Sequence, residues 1–152
     1  METNGGTVAH GDRNTDRAPA PTGGLVPLAD GGYVSDAGRI ANLIHGGCKG
    51  TVSVLHSFAG SCRAQHFHKE DDHYLYVVSG EVRYYERAIG DRTTPPPRTF
   101  VSGQMFYTPP MREHAMIFDK DTVMVSISSR SRTHEEHESD VVRLAQEDRI
   151  VP

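Results

Sequence analysis

His66, His68 and His73 fall within one short run of the chain, and a fourth histidine stands at His114. Neutral imidazole is the commonest protein ligand for zinc, iron, copper and nickel. His66 and His68 are two residues apart, so on a strand both rings leave the same face. The polar stretch Lys69-Glu-Asp-Asp72 is enough for a turn, and the chain resumes as Tyr74-Leu-Tyr-Val-Val-Ser-Gly80 with His73 at its mouth. The spacing predicts a metal site on a hairpin, with two ligands on the outgoing strand and a third on the return. A random surface cluster has no reason to keep period-two spacing around a turn.

Gly103-Gln-Met-Phe-Tyr-Thr-Pro109-Pro-Met-Arg-Glu-His114 reads as a turn, a short strand, a stiff turn and a second strand bearing a histidine. Pro109 and Pro110 cannot both sit in a ladder, so the sheet is interrupted there. With these residues in view, the chain resembles the cupins. The first cupin motif is Gly, five residues, His-x-His, three or four residues, Glu, six residues, Gly. It runs here as Gly60, His66, His68, then His73 in the glutamate position, and Gly80. The second motif runs as Gly103, Pro109, Met111 in place of a glycine, and His114. Met111 is a cheap replacement provided the turn needs no positive φ there.

The resemblance implies an all-β fold, the antiparallel double-stranded β-helix or jelly-roll barrel of cupins, with very little helix. It implies one divalent metal ion per chain on His66, His68, His73 and His114, with zinc favoured and iron, copper or nickel as alternatives. Four neutral histidines leave a site charge of plus two, where a carboxylate ligand would leave plus one. That favours polarising a carbonyl or stabilising an enolate over activating dioxygen. Four-histidine cupins include zinc-dependent polyketide cyclases of secondary metabolism, so aldol cyclisation of a carbonyl-containing small molecule is the leading expectation. An iron or copper dioxygenase is the second reading, and a sugar-nucleotide isomerase-like or small-molecule-binding cupin the third.

Alternation from His73 and His114 places Leu75, Val77, Met116 and Phe118 on the ligand face, as an apolar wall to the substrate pocket. Val82 and Tyr84 face inward by the same logic, and the Tyr84 hydroxyl is a candidate for hydrogen bonding substrate, with a core tyrosine as the plainer alternative. Arg63 stands where an arginine reaches the cavity in some metal-dependent cupins. On a regular strand it would point away, so a bulge is needed to bring it in. Cys62, four residues before His66, would share the ligand face of a regular strand. No side chain is assigned as the general base. His134 and His137 lie in a polar segment read as solvated.

The 152 residues suit one domain, with residues 1–24 as a disordered tail and 25–152 as the cupin domain. Alternating strands are expected over Gly50–Phe58, Glu81–Arg87 and Asp121–Ser128, the second as a hairpin partner beyond Gly80. Ala88–Arg98 is expected as a loop, with helix only over Ala37–Ile44 and a turn near Leu144–Asp148. The formal charge of −4 and scattered basic residues argue against nucleic acid, and no segment has the length of a membrane span. The tail lacks the apolar core of a secretory signal, and Cys48 and Cys62 have no metal or redox spacing. A cytoplasmic protein with free thiols is therefore expected. Cupins often pair edge strands, so a homodimer is expected by resemblance.

Overall fold

A computed structural model describes residues 24–26, 33–35, 38–40, 43 and 50–152. The expected tail (save Gly24), Cys48 and half of the expected 37–44 helix lie outside the described residues. Within that last span Gly38–Ile40 (β3) is a strand, paired with Tyr33–Ser35 (β2), which corrects the helical expectation.

Two five-stranded antiparallel sheets make the fold. The first joins Leu25–Val26 (β1), Met105–Thr108 (β9), His73–Ser79 (β6), Thr122–Ser128 (β11) and Val52–Ser57 (β4) in the order β1-β9-β6-β11-β4. The second joins Val141–Arg143 (β12), Cys62–His68 (β5), Arg112–Ile117 (β10), Glu81–Ala88 (β7) and Arg98–Val101 (β8) in the order β12-β5-β10-β7-β8. Between them the core collects Leu75, Val77, Val82, Tyr84, Phe106, Met116, Phe118 and Met124, all nearly inaccessible to water. This is the cupin jelly roll.

Both hairpin expectations are corrected by this topology. β5 and β6 lie in opposite sheets, as do β6 and β7, so neither turn closes a ladder. A jelly roll crosses between its sheets at such corners. Gly80 makes the β6–β7 corner at φ +86°, and a Cβ there would fall 2.4 Å from Thr122 Oγ1 and 2.5 Å from the Asp121 carbonyl. Only glycine fits. The turn at 109–111 does need a positive φ, which Met111 supplies at +55° while its N–H donates to the His68 carbonyl at 2.7 Å.

In β11 the inward face is Met124 and Ser126, while Val123, Val125 and Ile127 lie on the half-exposed outer face. The β-branched residues suit the pleat. The small inward serine leaves room for a cavity. The outer face of the second sheet is covered by the C-terminal segment, whose Ile150 and Val151 pack on Tyr85 and Ala115. A short helix, His134–Asp140 (α1), follows β11 where only a solvated segment was expected. Its signal was present in Thr133-x-x-Glu136: Thr133 Oγ1 donates to Glu136 Oε2 at 2.6 Å and caps the Glu136 N–H, a capping box.

Candidate metal centre and cavity

The β5 histidines reach the barrel interior because the strand is broken upstream of them. Ala64 and Gln65 adopt φ +70° and +59°, and the ladder to β10 slips at this point, so His66 pairs with His114 while Ala64 already faces Ala115. Two consecutive non-glycine residues in the left-handed region cost about 1–3 kcal/mol each and persist only when their surroundings hold them. The hold is the Gln65 amide: its Oε1 accepts from the Ile150 N–H at 2.9 Å and its Nε2 donates to the Val151 carbonyl at 2.7 Å.

The bulge reverses facing upstream. Arg63 pairs with Met116 and lines the cavity, whereas Cys62 pairs with Ile117 and is exposed, away from the ligand face. The Arg63 guanidinium is fixed by bonds to Ser57 Oγ at 2.8 Å and the His56 carbonyl at 2.6 Å.

Four histidine rings converge from both sheets. His66 lies 4.8 Å, centre to centre, from both His68 and His114. His73, carried by β6 in the facing sheet, is 5.2 Å from His68 and 6.1 Å from His114. His66, His68 and His114 each offer a nitrogen within 4.8 Å of the others, and so do His68, Asp71 and His73 with an Asp71 oxygen. These groups could hold a metal ion.

The chemistry of the donors fits one. His68 Nε2 is buried with no partner among the described residues, while Nδ1 faces Asp140 Oδ2 at 2.9 Å. His114 Nδ1 is held by the Arg112 carbonyl at 3.1 Å, whereas His73 Nδ1 lies 3.8 Å from Asp71 Oδ2, beyond hydrogen-bond reach. Outer oxygens that hold one ring nitrogen and leave the other for the ion are the usual support of a metal-binding histidine. All four rings favour the neutral, ligating form. Burial, then the neighbouring His68 and His73, lowers the His66 pKa to about 3. Burial, reinforced by His66 and His73, holds His114 well below its ordinary value. Burial also lowers His68 and His73, with Asp140 and Asp71 opposing it in part.

The cluster floors a cavity of about 340 Å³, whose lining includes the apolar Leu55, Leu75 and Met116 and the polar Arg63, Ser126 and Arg132. Val77 and Phe118, expected in the apolar wall, lie deeper, in the core. Tyr84 also belongs to the core, its ring 6.1 Å from His114 and its hydroxyl turned to Glu86 Oε2 at 3.0 Å rather than into the cavity.

His137, read as solvated, instead projects from α1 to line the cavity, its ring 5.8 Å from His68 and 6.5 Å from His66. Burial and then Arg132 lower its pKa. Arg132, Asp71 and Asp140 complete the surroundings and were not singled out from sequence. Their roles depend on where the 129–143 segment folds back, which no local spacing reveals. His56 and His134 are exposed, and His10 and His45 lie outside the described residues.

Neither a comparison with protein-family models nor one with curated proteins finds a match. Solved structures do match. The QdtA sugar 3,4-ketoisomerase from Thermoanaerobacterium thermosaccharolyticum, in complex with TDP, aligns with a TM-score of 0.63 at 16% identity, over 81% of this chain and 88% of its own. A dTDP sugar isomerase from Desulfovibrio desulfuricans aligns at 0.62 and 11% identity, over 86% and 88% of the two chains. The capsular polysaccharide assembling protein CapF from Staphylococcus aureus aligns at 0.53 and 23% identity, and this chain spans 32% of its length. These neighbours give no support to the polyketide cyclase resemblance. At such identities what they share with this chain is the cupin fold.

Proposed function

We propose that this protein is a metal-dependent isomerase that moves a carbonyl between adjacent carbons of a small keto-hydroxy compound, of which a keto sugar is the model. The observation that carries the reading is the buried histidine cluster, with an orphaned His68 Nε2, at the floor of a ligand-sized cavity. The ketoisomerase activity of structural neighbours of the same fold is the supporting analogy.

His66, His68, His73 and His114 would hold the ion. A divalent cation there supplies charge that polarises a carbonyl and stabilises the enolate oxygen beside it. The remaining work falls to side chains of the cavity. Arg63, fixed by Ser57 and the His56 carbonyl, presents positive charge to a substrate oxygen. Ser126 Oγ is buried in the cavity wall with no partner among the described residues, and a substrate hydroxyl would satisfy it. Leu75 and Met116 cover the carbon skeleton and exclude water. His137, neutral and outside the donor set, takes the proton from the hydroxyl-bearing carbon. The electron pair forms the enediol double bond, and the His137 imidazolium, whose proton exchanges with solvent, delivers a proton to the former carbonyl carbon. The hydroxyl proton passes from one oxygen to the other, so nothing is gained or lost.

The adjoining hollow of about 320 Å³ holds Lys69, Arg130 and Arg132. Lys69 is engaged by the Ser139 carbonyl, Arg130 by Glu70, and Arg132 faces Asp71. Lys69 spends one of its three N–H donors on that carbonyl, so positive charge remains in the hollow for an anionic group such as a diphosphate.

The test is solvent exchange. Protein with its metal content measured is incubated in D2O with TDP-4-keto-6-deoxyglucose and, separately, with a free α-hydroxy ketone, and followed by proton NMR. Loss of the signal beside the carbonyl with appearance of the isomer is expected. No exchange with either compound, at one metal per chain, overturns the reading. Aldol cyclisation of a poly-β-keto chain would share the enolate step but would form a carbon–carbon bond, with water lost only in a later dehydration, rather than exchange label into an isomer.

A further inference from the structure

Asp140 ends α1, seventy-two residues from His68 along the chain, yet its carboxylate is the nearest polar partner of that ring. Its two oxygens serve three donors. Oδ2 faces His68 Nδ1 at 2.9 Å, Oδ1 accepts from the Glu70 N–H at 2.8 Å, and the Asp71 N–H is shared between them at 3.3 and 3.4 Å. His68 is inaccessible and its Nε2 has no partner among the described residues. A carboxylate at the last residue of a helix opposes the helix dipole, so the helix itself gives no reason for it.

We propose that Asp140 is the positioning residue of the metal centre: it keeps the proton of His68 on Nδ1 and so presents the Nε2 lone pair to the ion. This rests on the metal-binding part of the function proposed above. A carboxylate cannot donate, so the ring nitrogen facing it must carry the hydrogen. The other nitrogen is then the free donor. The same carboxylate, through the Glu70 and Asp71 amides, fixes the β5–β6 corner on which His73 follows. One side chain from the C-terminal segment thereby sets both the tautomer of one ligand and the approach of another.

Asp140→Asn separates this from a merely structural role. The amide has one oxygen where the carboxylate has two. If that oxygen faces Glu70 and Asp71, the NH2 points at His68 Nδ1 and forces the proton onto Nε2, which then cannot ligate. If it faces His68, the NH2 opposes two backbone N–H groups. Cobalt(II) and zinc(II) affinities of the metal-free protein are measured by competition against a chromophoric chelator. Asp140→Asn is expected to bind both metals roughly 10–100-fold more weakly than the parent, with a changed cobalt visible spectrum. Glu138→Gln, on the same helix but paired with Arg143 at the surface, is expected to leave both unchanged. Long-range proton–nitrogen NMR of the unsubstituted metal-free protein reads the tautomer directly, so the proposal stands or falls even if the variant does not fold. An Nδ1–H tautomer at His68 is required. An Nε2–H tautomer, or unchanged affinity in a folded Asp140→Asn protein, overturns the positioning role while leaving the metal site intact. A parent protein that binds neither metal overturns the metal site itself, and with it this role.

Discussion

Acid should loosen the metal-free protein at a pH where ordinary domains are indifferent. His66 has a pKa of about 3 in the fold against 6.5 when free. Between those values the unfolded chain binds a proton that the folded chain refuses, so stability is complete above 6.5 and falls as the pH drops. From pH 7 to pH 5 the unfolded chain gains about three-quarters of a proton at this position and the folded chain almost none, a loss of about 2 kcal/mol. His68, His73 and His114 are lowered too, chiefly by burial, and add in the same direction. Against a total of about 5–15 kcal/mol for a typical domain, the sum is large. The lowered carboxyls Asp71 and Asp140 act with the same sign but only below 3.8, so the window from 6.5 to 5 isolates the histidines. Urea denaturation with chelator present, at steps from pH 7.5 to 5, measures the slope. His66→Gln should flatten it by about one proton. Parallel curves for the two proteins, or a flat curve for the parent, would refute the burial of neutral imidazoles.

Three further outcomes are expected. Replacing His66, His68, His73 or His114 singly by Ala should bring metal content well below one per chain by elemental analysis, while His137→Ala should keep it. Met111→Gly should relieve a left-handed backbone at a half-exposed side chain, for a net gain of about 0.5–1 kcal/mol and roughly 2 °C in Tm by thermal denaturation. Gln65→Ala should cost about 2 kcal/mol in urea denaturation, because the Ile150 N–H loses its acceptor and the Ala64–Gln65 bulge loses its hold.

The clustering of the histidines was legible because most of its geometry is local. Spacing of two on one strand, a polar turn and a motif glycine each act within a few residues, and the framing Gly60, Gly80 and Gly103 all take a positive φ. Strand identity was legible for the same reason. Strand pairing was not. Lys69–Asp72 has the length and polarity of a hairpin turn, and nothing in those four residues distinguishes a turn that closes a ladder from a corner that changes sheet.

What decides the corner is elsewhere in the chain. The Lys69 N–H donates to the Asp140 carbonyl and the Asp72 N–H meets Ser129 Oγ, so the turn is held by the C-terminal segment and not by its own ladder. The Ala64–Gln65 bulge obeys the same rule: read alone, Arg-Ala-Gln carries no glycine to announce a positive φ, and only Ile150 and Val151 explain it. The bulge in turn fixes which of Cys62 and Arg63 faces the cavity, and the helix after Thr133 fixes that His137 does. Three of the clustered histidines are thus written in one segment and the fourth at His114, while the partner of His68, the hold on the bulge and the neighbouring His137 are written in the last two dozen residues. Truncation before α1 would therefore leave all four histidines in the sequence and remove the groups that aim them.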